Sequence, residues 1–191
     1  MAKEFFCDVE TTGFDPKVNS IIELSYIMKI GGEESERGTH FVKPQRDEKI
    51  SQKVCEFHNL TPTQMNERGS EQSIVKQKVV DVLRRYVNPW DAKDKFFFYA
   101  FNSPFDNQFI RDFWDRSGDK SQGYFGSYFW APDICIMRLA TEKLKNVRSE
   151  MENFQQATVA KQLGIEIDES RLHEAEYDLE LMMDIYSKVK G

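Results

Sequence analysis

Cysteine is scarce in this 191-residue chain: Cys7, Cys55 and Cys135 are odd in number, far apart and without a C-x-x-C pair. That argues against a disulfide framework and offers no zinc-site spacing. Positive charge is also short. Twenty-six Lys and Arg face 32 Asp and Glu, a net charge of −6, whereas a protein that grips duplex nucleic acid through phosphates carries a basic excess. No apolar run is long enough to span a bilayer, so no membrane partner is expected. Repeats, low-complexity tracts and linkers are missing. Met1-Ala2-Lys3-Glu4 leads straight into an apolar segment with no room for a signal sequence, and a reducing cytoplasm is the expected setting. What is there, 40% apolar and 30% charged residues, reads as one domain over residues 1–191, large enough to bury a core unstapled.

Residues 4–9 (EFFCDV) suit a central strand, and 21–30 (IIELSYIMKI) are rich in β-branched and aromatic residues. Gly31-Gly32 marks a turn before the more polar 35–43, so the three read as an antiparallel meander. Thr61-Pro62 predicts a helix start. Ile74, Val75, Val79, Val82, Leu83 and Tyr86 form a helical stripe after Ser70. A buried strand is expected at 96–100, followed by helices at 105–114, 133–144, 153–163 and 174–189, with Asp133 read as a helix cap. Strands first, then strands alternating with helices, imply an α/β fold with a mixed sheet between helices.

The chemistry concentrates in Asp8-Val9-Glu10-Thr11-Thr12-Gly13. Acids two apart on a strand share a face, which is unfavourable unless a cation lies between them. Five fixed positions at about one chance in twenty each should arise by accident in roughly one such chain in ten thousand. Asp106 follows the fourth strand at a helix start, and ligand sites of open α/β sheets form beyond such strand ends. His173-x4-Asp178 enters the last helix. With three histidines and 14 aspartates that spacing is expected by chance about one time in five, so its weight comes from its place in the series.

Taken in order, Asp8-x-Glu10-Thr-Thr-Gly13, Asn102-Ser-Pro-Phe105-Asp106-Asn-Gln-Phe109-Ile110 and His173-x4-Asp178 resemble the DEDDh, or DnaQ-like, exonuclease family. The resemblance covers nearly the whole chain. Ile22-Glu23-Leu24, His58-Asn59-Leu60-Thr61, Pro132-Asp133-Ile134 and Leu163-Gly164-Ile165 sit where that family has similar stretches. Two positions depart from it: Phe101 stands where histidine is frequent, and Leu179 where a small residue is common. The resemblance implies an RNase H-like fold with a five-stranded mixed sheet, three antiparallel strands followed by parallel ones.

It also implies a 3′–5′ exonuclease that releases nucleoside 5′-monophosphates from single-stranded DNA or RNA ends. Asp8, Glu10, Asp106 and Asp178 are hard oxygen donors, suited to two divalent cations, Mg²⁺ or Mn²⁺, about 4 Å apart in such sites. By resemblance Asp8 bridges the cations, Glu10 and Asp178 hold the one that binds the attacking water, Asp106 serves the other, and His173 is the general base. Thr11, Thr12 and Gly13 are candidates for the terminal ribose, and Phe14, Phe101 and Phe105 for base stacking. Asn102 and His58 complete the substrate candidates, with a structural role for His58 equally open. Glu23 is either an acid near the cations or an outward strand residue.

The basic segments 43–53 (Lys43, Arg46, Lys49, Lys53) and 138–148 (Arg138, Lys143, Lys145, Arg148) either guide a strand or are ordinary solvated charge. A polymerase or other replication or repair protein is a candidate partner, and the RNA-trimming members allow a homodimer. A catalytically silent nucleic-acid-binding or scaffold module is the competing function.

Overall fold

The structure is a computed structural model and describes residues 1–44, 50–116, 120–172 and 174–190. Its strands are β1 (Lys3–Thr11), β2 (Ile21–Ile30), β3 (Glu33–Phe41), β4 (Phe97–Ala100) and β5 (Ile134–Cys135). The helices are α1 (Gln52–His58), α2 (Pro62–Arg68), α3 (Gln72–Leu83), α4 (Ser103–Arg116), α5 (Phe125–Tyr128), α6 (Ile136–Leu144), α7 (Gln156–Gln162) and α8 (Ala175–Val189). The sheet runs β3-β2-β1-β4-β5. β1, β2 and β3 are antiparallel neighbours, while β4 and β5 continue parallel to β1. This is the mixed sheet expected from the order of elements.

Alternation along β1 divides the core in two. Phe5, Cys7 and Val9 pack with Val79, Leu83, Phe109 and Phe129 from the α3–α5 side. Phe6 packs with Ile136, Val159, Leu179 and Ile185 from the α6–α8 side. Each buried Phe contributes about 1.5–3 kcal/mol of transfer free energy, so β1 is held from both faces and sits rigidly at the centre.

Two local expectations change. Ile134-Cys135 is a strand, not helix, because Tyr99 and Ala100 pair with it, and α6 begins only at Ile136. Asp133 is therefore not a helix cap. It accepts a hydrogen bond from the Ser103 hydroxyl and ties the start of α4 to the start of β5. Helix α1 was not expected at all. It buries no residue, and its ends are set instead by Ser51, whose hydroxyl accepts from Val54 N at 3.3 Å, and by left-handed Asn59.

Helix α3 closes the C-terminal end of α4. Lys76, only 1% exposed, donates from Nζ to the Trp114 carbonyl at 3.0 Å, and Gln72 donates to the Phe113 carbonyl. Lys76→Met removes a buried hydrogen bond from a charged donor. The expected cost is about 1–3 kcal/mol, read in a thermal melt as a fall of roughly 3–10 °C. An unchanged melt would show that the contact contributes nothing. Among the described residues, no helix is long and apolar enough to cross a membrane.

Candidate active site

Even-numbered Phe6, Asp8 and Glu10 share the face of β1 that looks toward α8. Asp8 and Glu10 are half-buried at the strand's carboxyl end. Helix α8 brings Asp178 in its first turn, anchored through its carbonyl, which accepts from Gln156 Nε2 at 2.6 Å. Asp106 comes from the first turn of α4 and is 5% exposed. Its carboxylate accepts from the Val9 backbone N–H, so α4 is pinned to β1 at the site.

These acids act on one another. Burial, then the charges of Asp178 and Glu23, lift Asp8 to about 7. Burial, then Asp8, Glu23 and Asp178, lift Glu10 to about 8. Asp106 is raised well above the carboxylate range by burial and by Asp8, with the Val9 bond partly offsetting this. Burial and the neighbouring Asp106 and Asp8 also raise the Cys7 thiol, which leaves it protonated and inert. Asp8, Glu10, Asp106 and Asp178 thus meet in one desolvated region, although 170 residues of sequence separate the first from the last. His173 lies outside the described residues.

The register decides the case of Glu23. It is paired directly with Glu10 across β1–β2 and with Phe41 across β2–β3, so it belongs to the site. Burial raises it, and Arg68 pulls it back. Arg68 and Phe57, neither singled out by the sequence, join it in a cleft of about 670 Å³ that also takes in Glu10, Phe41 and His58. The sequence signal for Phe57 was adjacency to His58; Arg68 carried none. His58 reaches this cleft from the last residue of α1. Its Nε2 stands 3.1 Å from the Thr11 carbonyl oxygen and its Nδ1 3.6 Å from Glu10 Oε2.

The turn after the acids is shaped from within. A Cβ at Gly13 would meet Asn19 Oδ1 at 2.5 Å, so a side chain there would displace the Asn19 amide. Thr11 donates from its hydroxyl to the Gly13 carbonyl at 2.7 Å. Thr12 is buried, and its hydroxyl accepts from Ser20 N at 2.9 Å, so it closes the turn. Phe14 is 88% exposed, edge-on to Phe105 at 6.4 Å. Phe57 is 58% exposed. Phe105 is half-buried against Phe109 and the α3–α5 core, Phe101 is half-buried against the α6–α8 core, and Asn102 is exposed at the start of α4. Phe14 and Phe57 thus present open aromatic surface, while Phe101 and Phe105 are each partly exposed.

Of the basic segments, Lys43 pairs with Glu71 at 2.9 Å, Lys145 pairs with Glu142, and Arg148 stacks on Phe154. Arg46 and Lys49 lie outside the described residues. The described charges named here are engaged locally, as solvated surface charge usually is.

The donor set fits a hard divalent cation. Carboxylate oxygens are its preferred ligands, and a cation would relieve the repulsion that, after burial, lifts Asp8 and Glu10. Among the described residues, no three His, Cys, Asp or Glu side chains already stand round a common point as a metal cage, so the fit rests on donor chemistry and repulsion. A carboxyl raised in the folded chain keeps a proton that the unfolded chain has released. Its contribution to stability is complete below the ordinary range near 4 and is lost as pH rises through about 7 for Asp8 and 8 for Glu10. Added Mg²⁺ should therefore stabilise most at pH 8. At a hundredfold excess over Kd the gain is about 2.7 kcal/mol, a melting rise of roughly 5–10 °C, and it should shrink toward pH 5. A melt indifferent to Mg²⁺ at pH 8 would remove the cation from this site.

Comparison with known proteins agrees with this geometry. The family described as Exonuclease matches residues 5–186. Ribonuclease T of Buchnera aphidicola is 23% identical over 187 residues, covering 95% of this chain and 81% of that protein. A PolC-type DNA polymerase III of Oceanobacillus iheyensis is 28% identical over 173 residues, 91% of this chain and 10% of the polymerase. E. coli Exonuclease I in complex with a dT13 oligonucleotide superposes with a TM-score of 0.75 at 17% identity, over 100% of this chain and 41% of that one. The chain thus spans about two fifths of the Exonuclease I chains it matches. With the match running through nearly every element that builds the acidic site, this chain belongs to the exonuclease family, as a DEDDh-type member with an RNase H-like fold.

Proposed function

We propose that the chain hydrolyses phosphodiester bonds at the 3′ ends of single-stranded nucleic acid, releasing nucleoside 5′-monophosphates. The observation that carries this reading is the meeting of four carboxylates, Asp8, Glu10, Asp106 and Asp178, at the end of β1. Asp8, Glu10, Asp106 and Asp178 would hold two divalent cations, Mg²⁺ or Mn²⁺. When bound, these supply charge stabilisation for the attacking and leaving oxygens of an in-line displacement.

The chain's own residues do the rest. His173 accepts the proton of the attacking water, as histidine can near neutral pH. The turn Thr11–Gly13 receives the terminal ribose through backbone N–H groups and the Thr11 carbonyl region that His58 braces. Phe14 and Phe57 stack on end bases, contacts worth about 1–3 kcal/mol each and tolerant of sequence. Such contacts let an acidic protein hold an end without a basic groove. A match to Ribonuclease T and a match to a DNA polymerase leave both strand chemistries open, and the polymerase match makes association with a replication protein one route to DNA. Free thiols at Cys7, Cys55 and Cys135 accord with a cytoplasmic location.

The test is digestion of 5′-labelled single-stranded DNA and RNA of matched sequence with Mg²⁺. A ladder shortening from the 3′ end is expected, and the faster strand identifies the substrate. No product from either strand, or from dinucleotides, would favour a silent binding module.

A further inference from the structure

The floor of the 670 Å³ cleft is a single row across three strands, Glu10, Glu23 and Phe41, each paired with the next in register. Above Phe41 lies Arg68 at the end of α2, its guanidinium 3.4 Å from the ring centroid. Four acids line the cleft: Glu10, Glu23, Glu174 and Glu176. Among the described lining residues, Arg68 is the one permanently positive side chain. Glu174 is paired with Arg171 and Glu176 with Arg37, so the repulsion that a polyanionic strand meets in the cleft comes chiefly from Glu10 and Glu23, and Arg68 stands beside them.

From this we infer that Arg68 binds a phosphate of the substrate strand other than the one being cleaved. The inference rests on the exonuclease reading and names the contact that orients the strand within it. Neighbouring strands lie about 4.8 Å apart, so Phe41 stands about 10 Å from Glu10, beyond contact with the reacting phosphate and within reach of a neighbouring one. Stacking on Phe41 leaves the guanidinium edge, with its N–H fork, free to point into the cleft. The close contact with the ring also limits the rotamer freedom that binding would otherwise cost. In the absence of a strand, Arg68 screens Glu23, and a phosphate arriving there exchanges one anionic partner for another. Sequence-tolerant recognition follows, because a phosphate contact carries no base information.

The test compares wild type, Arg68→Gln and Arg68→Lys on a tetranucleotide and on a nucleoside 5′-p-nitrophenyl phosphate, which contains only the reacting diester. Arg68→Gln should lower the ratio of kcat/KM on the tetranucleotide to that on the ester about tenfold, chiefly through KM. It should also flatten the salt dependence of tetranucleotide binding, measured by fluorescence anisotropy, by about 0.7 in the log–log slope. Arg68→Lys should restore the slope and part of the affinity. A ratio within twofold of wild type with an unchanged slope would overturn the inference. Should Arg68→Gln not fold, Arg68→Lys decides by the same ratio, with an intermediate loss expected and wild-type behaviour overturning the assignment. If wild type cleaves neither substrate, the exonuclease reading falls on that result alone; anisotropy still judges Arg68, with a tenfold loss of affinity supporting it and none removing it.

Discussion

Asp8→Asn is expected to reduce kcat by at least about 10³-fold while making the cation-free protein more stable. Both effects have one origin. Asp8 is pushed up to about 7 by burial and by Asp178 and Glu23, and its charge in turn raises Glu10 and Asp106. In the cation-free protein at pH 8, ionising Asp8 stores repulsion that the isosteric amide lacks. A gain of about 2 kcal/mol, or roughly 4–8 °C in Tm, should follow, and it should vanish near pH 4, where Asp8 is protonated. With Mg²⁺ present the order reverses, because the amide removes the donor at the centre of the set. A 10³-fold loss corresponds to about 4 kcal/mol of transition-state stabilisation. The measurement is a pair of melts at pH 4 and pH 8 beside single-turnover rates on a labelled strand. Retained turnover would remove Asp8 from the mechanism. Loss of turnover with loss of stability would mean that the side chain serves the fold instead.

His173→Ala should cost about 10²- to 10⁴-fold in kcat, the usual range for a general base. The Mg²⁺-induced rise in Tm should survive, since the carboxylates Asp8, Glu10, Asp106 and Asp178 are untouched. At saturating Mg²⁺, wild-type activity should climb with pH as the imidazole loses its proton and becomes able to accept one. The variant should lack that limb. Unchanged turnover, or a variant that keeps the same acid limb, would assign the limb to another group. His58 is the obvious one to examine next, as it sits 3.6 Å from Glu10.

Much of the site was legible because its residues stand at points where local pattern is strong. Asp8 and Glu10 end an apolar strand, Asp106 opens a helix behind Ser103-Pro104, and Asp178 lies in the first turn of the last helix. Strand–helix order then predicted the sheet. What escaped was weakly patterned. Strand β5 has two residues, too few to show a period, and it runs directly into α6, so the whole stretch read as helix. Helix α1 has no apolar stripe because it buries nothing. Yet it carries Phe57 and His58 to the cleft, and α2 carries Arg68.

The sequence by itself determined the family and most of the order of elements, and it put forward the four acids as candidates, because motif spacing and the period of apolar residues are local properties of the chain. Only the tertiary structure decided that Glu23 belongs to the site, that Thr12 turns inward, and that Arg68 faces the acids over Phe41. Those outcomes depend on strand register and on how α1 and α2 fold back over the sheet. A one-residue slip would move Glu23 to the opposite face, and alternation within β2 does not by itself say which residues of β1 and β3 Glu23 meets. Pairing with β1 and β3, with the apolar face of Leu24, Tyr26 and Met28 buried against α3, is what selects one.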